Sequence, residues 1–155
     1  MVGSRVGELL AEAQLIFNWQ AEASDVMLIE DIEPWLPALR LDRRRMRQVL
    51  VNLLTNAVKY SPKGGKVTIT VTDHSADLIM ITVADQGIGI PPEKVGKLFQ
   101  KFSRVDTAEA KEIKGAGLGL WICREIVEAH GGKIWIESEQ GKGTTMKVVM
   151  KKAQQ

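Results

Sequence analysis

Leu78-Ile79-Met80-Ile81-Thr82-Val83-Ala84-Asp85-Gln86-Gly87-Ile88-Gly89-Ile90 is the stretch on which the fold turns. Residues 78–84 are apolar except Thr82, which predicts a buried strand. That strand runs straight into Asp85 and a turn carrying Gly87 and Gly89. A carboxylate at the end of a buried strand is costly unless a donor reaches it. Two readings of Asp85 stand side by side. It is either the first corner of a plain turn, or an acceptor for the amino group of a base, with Gly87 and Gly89 letting the backbone approach a flat ring.

The flanking segments complete a sheet. Lys66 to Thr72 alternates Val67, Ile69 and Val71 with threonines, the pattern of a strand with one wet face. Val26 to Ile32 reads as a short strand, ended by Pro34 and Pro37. Residues 133–138 and 144–150 read as strands around the Gly141-Lys142-Gly143 turn. Helices are expected over 5–23, from Val6, Leu9, Leu10, Ala13, Ile16 and Phe17 at helical spacing, and over 42–61, with Asp42 as N-cap and Pro62 and Gly64-Gly65 as the stop. Pro91-Pro92 opens a short helix ending near Phe102. Residues 103–116 have no period and form a long loop, of the kind that is often functional. A last helix runs from Leu118 to His130 and stops at Gly131-Gly132. The sum is a two-layer α/β sandwich: a mixed, mostly antiparallel sheet with helices packed on one face.

Composition narrows the rest. At 155 residues, 45% hydrophobic and 26% charged, with a mean hydropathy of −0.07, the chain is one ordinary globular domain. Its 21 basic and 19 acidic side chains leave a formal charge of +2, which argues for no nucleic-acid partner. One cysteine, Cys123, closes no internal disulfide, and with 2 histidines it makes no zinc site. No apolar run is long enough to span a membrane and no signal peptide opens the chain, so a cytoplasmic location is expected. Met1-Val2-Gly3-Ser4 reads as a cloning scar on a piece of a longer protein.

The 42–61 helix carries an unusual polar stripe. Met46, Val49, Leu50, Leu53, Leu54, Ala57 and Val58 share one face, while Arg45, Gln48, Asn52, Asn56 and Lys59 run down the other. Asparagine is a poor helix-interior residue, yet two sit one turn apart. Amide oxygens so placed suit a hard cation such as Mg²⁺, and a lysine one turn on suits a phosphate. Further along, Gly115-Ala116-Gly117-Leu118-Gly119-Leu120 opens a helix, where bare N–H groups attract anions. The chain has no G-x-x-x-x-G-K-[ST], and neither glycine cluster completes G-x-G-x-x-G, because the third position falls at Pro92 or Leu120. The third cluster, Gly141-Lys142-Gly143-Thr144, reads as a hairpin turn. Arg40, Arg43, Arg44, Arg45 and Arg47 read as a solvated face or a dock for acidic side chains. Trp19 and Trp35 are expected to pack near the first helix.

These motifs in this order resemble the catalytic, ATP-binding domain of histidine kinases, a Bergerat-fold domain shared with gyrase and a heat-shock chaperone. The likeness covers residues 25–151. Asn52-Leu53-Leu54-Thr55-Asn56-Ala57-Val58-Lys59-Tyr60-Ser61 is similar to the family's N box, Asp85-Gln86-Gly87-Ile88-Gly89 to its first glycine box, Leu98-Phe99-Gln100-Lys101-Phe102 to its F box, and residues 115–120 to its second glycine box.

The resemblance implies ATP and Mg²⁺ as cofactors. Asn56 would hold the metal with Asn52 in support, Lys59 would meet the phosphates, and Tyr60 would lie along the nucleotide. Asp85 would bind the adenine amino group, Gly87 and Gly89 would permit the approach, and Ile90, Phe102 and Thr144 would be further nucleotide contacts. Loop 103–116 would be the lid, with Arg104 on the γ-phosphate. Gly115, Gly117 and Gly119 would form its hinge and phosphate-binding end, with Ala116, Leu118 and Leu120 in the same stretch. Lys111 and Lys114 read as solvated. Hydrolysing members of the superfamily carry a general-base glutamate where this chain has Asn52; an amide takes no proton at pH 7, so slow hydrolysis and transfer to a protein are implied. The family's acceptor motif, H-E-x-x-[TN]-P, is absent. His74 reads as a loop residue and His130 as a helix C-terminal residue favourable to the dipole. Residues 1–24 would then be the end of the dimerisation hairpin and 25–155 the catalytic domain. Its partners would be the rest of that hairpin and a response regulator. Two alternatives stand beside this: a serine/threonine kinase of the anti-sigma-factor type, and a nucleotide-gated interaction module without catalysis.

Overall fold

The structure, a computed structural model, describes residues 2–4, 6–21, 25–33, 36, 38–100 and 119–153. In chain order the elements are β1 (Val2–Ser4), α1 (Val6–Ala21), β2 (Val26–Ile32), β3 (Leu39–Leu41), α2 (Arg43–Lys59), β4 (Gly65–Asp73), β5 (Leu78–Asp85), α3 (Pro92–Val95), α4 (Gly119–Ala129), β6 (Lys133–Glu139) and β7 (Gly143–Lys151). A five-stranded sheet has the order β2-β4-β5-β7-β6, and β1 and β3 form a separate two-stranded sheet. β2 and β4 run parallel, while the three remaining pairings are antiparallel. The mixed two-layer sandwich expected from the pattern is the fold observed.

Alternation decides which face is covered. Val67, Ile69 and Val71 of β4 are buried, and so are Ile79, Ile81 and Val83 of β5 and Met146, Val148 and Met150 of β7. The buried face of α2 (Met46, Val49, Leu50, Leu53, Leu54 and Ala57) lies in the same core cluster as these strands and as Cys123, Ile126 and Val127 of α4. α2 begins where expected, with the Asp42 carboxylate accepting from Arg45 N–H at 3.2 Å. It ends at Lys59, because the Ser61 hydroxyl takes the Ala57 carbonyl at 2.7 Å and Pro62 follows.

Several details differ from the sequence reading. α3 does not extend towards Phe102: it is one turn long, and beyond it Lys97, Leu98 and Gln100 donate only to carbonyls three residues back. Val2–Ser4, read as a scar, pairs antiparallel with Leu39–Leu41, a strand too short to be read between the prolines and Asp42. Val6, Leu9, Leu10, Ala13 and Phe17 of α1 are buried in the common core. Ile16 is instead 40% and Trp19 76% exposed, so Trp19 does not pack against the molecule; Trp35 lies outside the described residues. The arginine cluster is partly a dock for acidic side chains. Arg43 pairs with Glu8 at 2.9 Å and Glu12 at 2.8 Å, and Arg47 reaches Glu12 at 3.5 Å, which ties α1 to α2.

Candidate functional site

The end of β5, the C-terminal half of α2 and the start of β7 meet around a pocket of roughly 400 Å³, part of it open to solvent. Leu53, Asn56, Ala57 and Tyr60 line it from α2 and its cap, Val83 and Asp85 from β5, Thr144 and Met146 from β7. Ile90, Leu98 and Leu120 complete the wall. A mostly apolar slot with a few polar atoms suits a flat ring whose edge makes the directional contacts.

Register explains why these residues meet. Asp85 stands opposite Thr144 and Val83 opposite Met146 in the β5–β7 pairing. The Thr144 and Gly87 N–H groups both donate to Asp85 Oδ1, at 3.2 and 2.9 Å. Its other oxygen has no hydrogen-bond partner among the described residues. Burial pushes the Asp85 carboxyl up to about 6, against the pull of those two backbone donors. The plain-turn reading of Asp85 is therefore realised at Oδ1.

Gly87 and Gly89 are required by the protein itself. A Cβ at Gly87 would stand 1.9 Å from the Tyr60 carbonyl oxygen, and one at Gly89 would stand 2.1 Å from that of Glu139. Tyr60 O accepts from Ile88 N–H at 2.9 Å, so the glycine turn is fastened to the end of α2. The 140–142 turn is fastened to it as well, with Gly141 N–H donating to Ile88 O at 2.7 Å, and a Cβ at Gly143 would stand 2.1 Å from the Asp85 carbonyl oxygen. The third glycine cluster, read as an ordinary hairpin, is thus part of the site's scaffold. Ser138, unmarked by any motif, joins it by accepting from Ile90 N–H at 2.8 Å.

On α2 the polar stripe divides. Asn56 enters the pocket wall, whereas Asn52 is half-buried and its amide nitrogen reaches the Gly119 carbonyl at 3.5 Å, at the start of α4. Asn52 also hydrogen-bonds towards Cys123, whose thiol burial raises to about 12. Lys59 is exposed on the last turn, outside the pocket wall. Gly119 starts α4 and Leu120 lines the pocket. Leu98 of the F-box stretch is buried in the wall, and Arg124 lies over the Phe99 ring at 6.0 Å. Phe102, Arg104, Lys111, Lys114, Gly115, Ala116, Gly117 and Leu118 lie outside the described residues. Among the described residues no cluster of His, Cys, Asp and Glu could hold a metal, so amide oxygens are the hard donors on offer near Asn56. The apolar lining residues Leu53, Ala57, Val83 and Met146 went unnamed as site residues. Helical spacing marks Leu53 and Ala57, and strand alternation marks Val83 and Met146, as inward-facing, but neither says which inward positions border a gap.

Fold and pocket together define a two-layer α/β domain with a mostly apolar slot between a helix and the ends of two strands. The profile of the family described as histidine kinase-, DNA gyrase B-, and HSP90-like ATPase matches residues 41–154, and the chain belongs to that family. It is 48% identical over 109 residues to the sensor histidine kinase WalK of Bacillus subtilis, covering 70% of this chain and 18% of WalK. It is 40% identical over 137 residues to the adaptive-response sensory kinase SasA of Synechococcus elongatus, covering 88% of this chain and 34% of SasA. The chain therefore spans a third or less of these two relatives. Among solved structures, the mycobacterial sensor histidine kinase MprB superposes with a TM-score of 0.87 at 26% identity, covering 99% of this chain and all of that one. The catalytic domain of histidine kinase ThkA gives 0.83 at 30%, covering 97% of this chain and 95% of that one. Full-length ShkA in complex with AMPPNP gives 0.86 at 26%, covering 99% of this chain and 32% of ShkA. ThkA is also known in complex with the response regulator protein TrrA, at a TM-score of 0.80 and 29% identity, with 98% of this chain and 42% of that one covered. Among the described residues no helix is long and apolar enough to cross a membrane.

Proposed function

We propose that the chain binds ATP in this pocket and serves as the catalytic part of a sensor histidine kinase, passing the γ-phosphoryl group to a histidine on a separate dimerisation hairpin for relay to a response regulator. The observation that carries the reading is Asp85: one oxygen is held by two backbone amides while the other is left for a donor at a mostly apolar slot. An adenine amino group is such a donor. Asn56 would hold Mg²⁺ through its amide oxygen, and the ion would supply charge neutralisation at the transferring group. Tyr60 would flank the ring, Lys59 and Arg104 would reach the phosphates, and the 103–116 loop would cover them.

Asp85 and Tyr60 are the titratable side chains in the pocket wall, and neither stands where Asn56 does. With Asn52 neutral and turned towards Gly119, water near the phosphates meets no general base among the described residues. That supports transfer over hydrolysis. The kinship to WalK and SasA favours a histidine acceptor over the serine/threonine alternative. The packing of α1 into the core, together with a solved catalytic domain that spans nearly the whole chain, supports assigning α1 to the catalytic domain itself.

Titration calorimetry with ATP and Mg²⁺ tests the reading. Asp85→Ala should weaken binding by roughly 10- to 150-fold, the worth of a hydrogen bond to a charged acceptor. Unchanged affinity would place the ligand elsewhere.

A further inference from the structure

Ser138 sits behind the pocket wall, and its hydroxyl makes three contacts. It accepts from Ile90 N–H at 2.8 Å, donates to the Gly143 carbonyl at 2.9 Å, and lies 2.8 Å from Thr144 Oγ1. A serine hydroxyl has one proton. The Gly143 carbonyl can only accept, so that proton is directed to it. The contact with Thr144 is then satisfied only if Thr144 donates. The opposite assignment would leave the Ser138 oxygen and the Gly143 carbonyl 2.9 Å apart with no proton between them.

The consequence falls on the pocket. Thr144, 8% exposed and part of the wall, has its proton committed to Ser138 and offers a ligand lone pairs alone. Its register partner Asp85, when ionised, is also purely an acceptor. We propose that Ser138 is a positioning residue that sets base selectivity through the Thr144 hydroxyl: it keeps the inner end of the pocket acceptor-only, so that a purine with a 6-amino group is admitted and one with a 6-oxo group is refused. This rests on the nucleotide reading of the pocket and adds to it a residue that touches no ligand. Without Ser138 the Thr144 proton is free to turn towards a 6-oxo group.

The test compares ADP with inosine diphosphate, which carries a 6-oxo group and an N1–H where ADP has a 6-amino group and a bare N1, by calorimetry on the full chain with Mg²⁺. The wild type should prefer ADP. Ser138→Ala should narrow that preference by roughly tenfold, because a hydroxyl free to donate repairs one hydrogen bond to the wrong base. Ser138→Thr, which keeps a hydroxyl, should restore it. In a Thr144→Val background Ser138→Ala should leave the ratio unmoved, since the hydroxyl through which Ser138 acts is gone. Thr144→Ser should keep the wild-type ratio, and this arm stands even if Ser138→Ala fails to fold, as its melting curve would show. An unchanged ratio in folded Ser138→Ala, an equal change in both backgrounds, or a lost preference in Thr144→Ser overturns the proposal while leaving the pocket intact. A wild-type chain that binds neither nucleotide overturns the pocket reading and this proposal with it.

Discussion

Burial of Asp85 costs stability wherever its carboxyl is ionised. Its carboxyl ionises near pH 6 in the folded chain and near 3.8 when free, and burial is the cause. Between those values the native state holds the proton more tightly than the unfolded one, so this group's contribution to stability falls as pH rises, by roughly 3 kcal/mol in all. Asp85→Asn keeps an oxygen for the Gly87 and Thr144 amides and removes the charge. It should melt above the wild type at pH 8, with the gap closing towards pH 4.5. Wild-type ATP affinity should run the other way, falling below pH 6 as the acceptor is protonated; calorimetry across that range reads it directly. The glycines make a second contrast at this scale. Gly87→Ala forces a methyl onto the Tyr60 carbonyl and should cost about 2–3 kcal/mol in denaturant unfolding, whereas Gly96→Ala meets nothing within 4 Å and should be neutral or mildly stabilising.

Helices α1, α2 and α4 are held together by apolar faces with a few polar ties across them. His130 is one such tie, and it does more than complement a helix dipole. Its Nε2 accepts from Asp42 N–H at 2.9 Å, so the proton sits on Nδ1, which donates to Ile126 O at 2.8 Å and joins the end of α4 to the cap of α2. Arg43 ties α1 to α2, and its hydrogen bond to Glu12 holds that carboxyl below its usual range. Because α1 shares the core, its loss should be felt by the whole domain. Phe17→Ala, at a residue 2% exposed, should cost about 3–5 kcal/mol in a single cooperative transition. Trp19→Ala, at 76% exposed, should change stability by about 0.5 kcal/mol or less. Two separate transitions would instead place a domain boundary near residue 24.

At the scale of the molecule, the proposed chemistry is one of positioning. Among the described residues the pocket wall carries no general base near Asn56, and an amide stands at position 52. The isolated chain should therefore release phosphate from ATP slowly. Given a separately supplied dimerisation hairpin with its histidine, it should label that hairpin from radioactive ATP, and acid should strip the label, as phosphohistidine requires. An acid-stable label would turn the reading towards a serine or threonine acceptor. No label with any hairpin would leave a nucleotide-gated interaction module.

The sequence by itself determined the class of fold and the order of the site's parts. Alternation in 66–72, the apolar run of 78–84 and the capped 42–61 helix are local signals, set by periods of two and 3.6 residues that every backbone must obey. The tertiary structure decided what those signals leave free: which inward residues border the pocket, that α1 belongs to the common core, and that Gly87, Gly89 and Gly143 make room for carbonyls of the chain. It also brought Ser138 against Ile90, Gly143 and Thr144. These are questions of which distant backbones approach one another, and β5–β7 register and hairpin docking, which answer them, emerge only when the sheet is assembled.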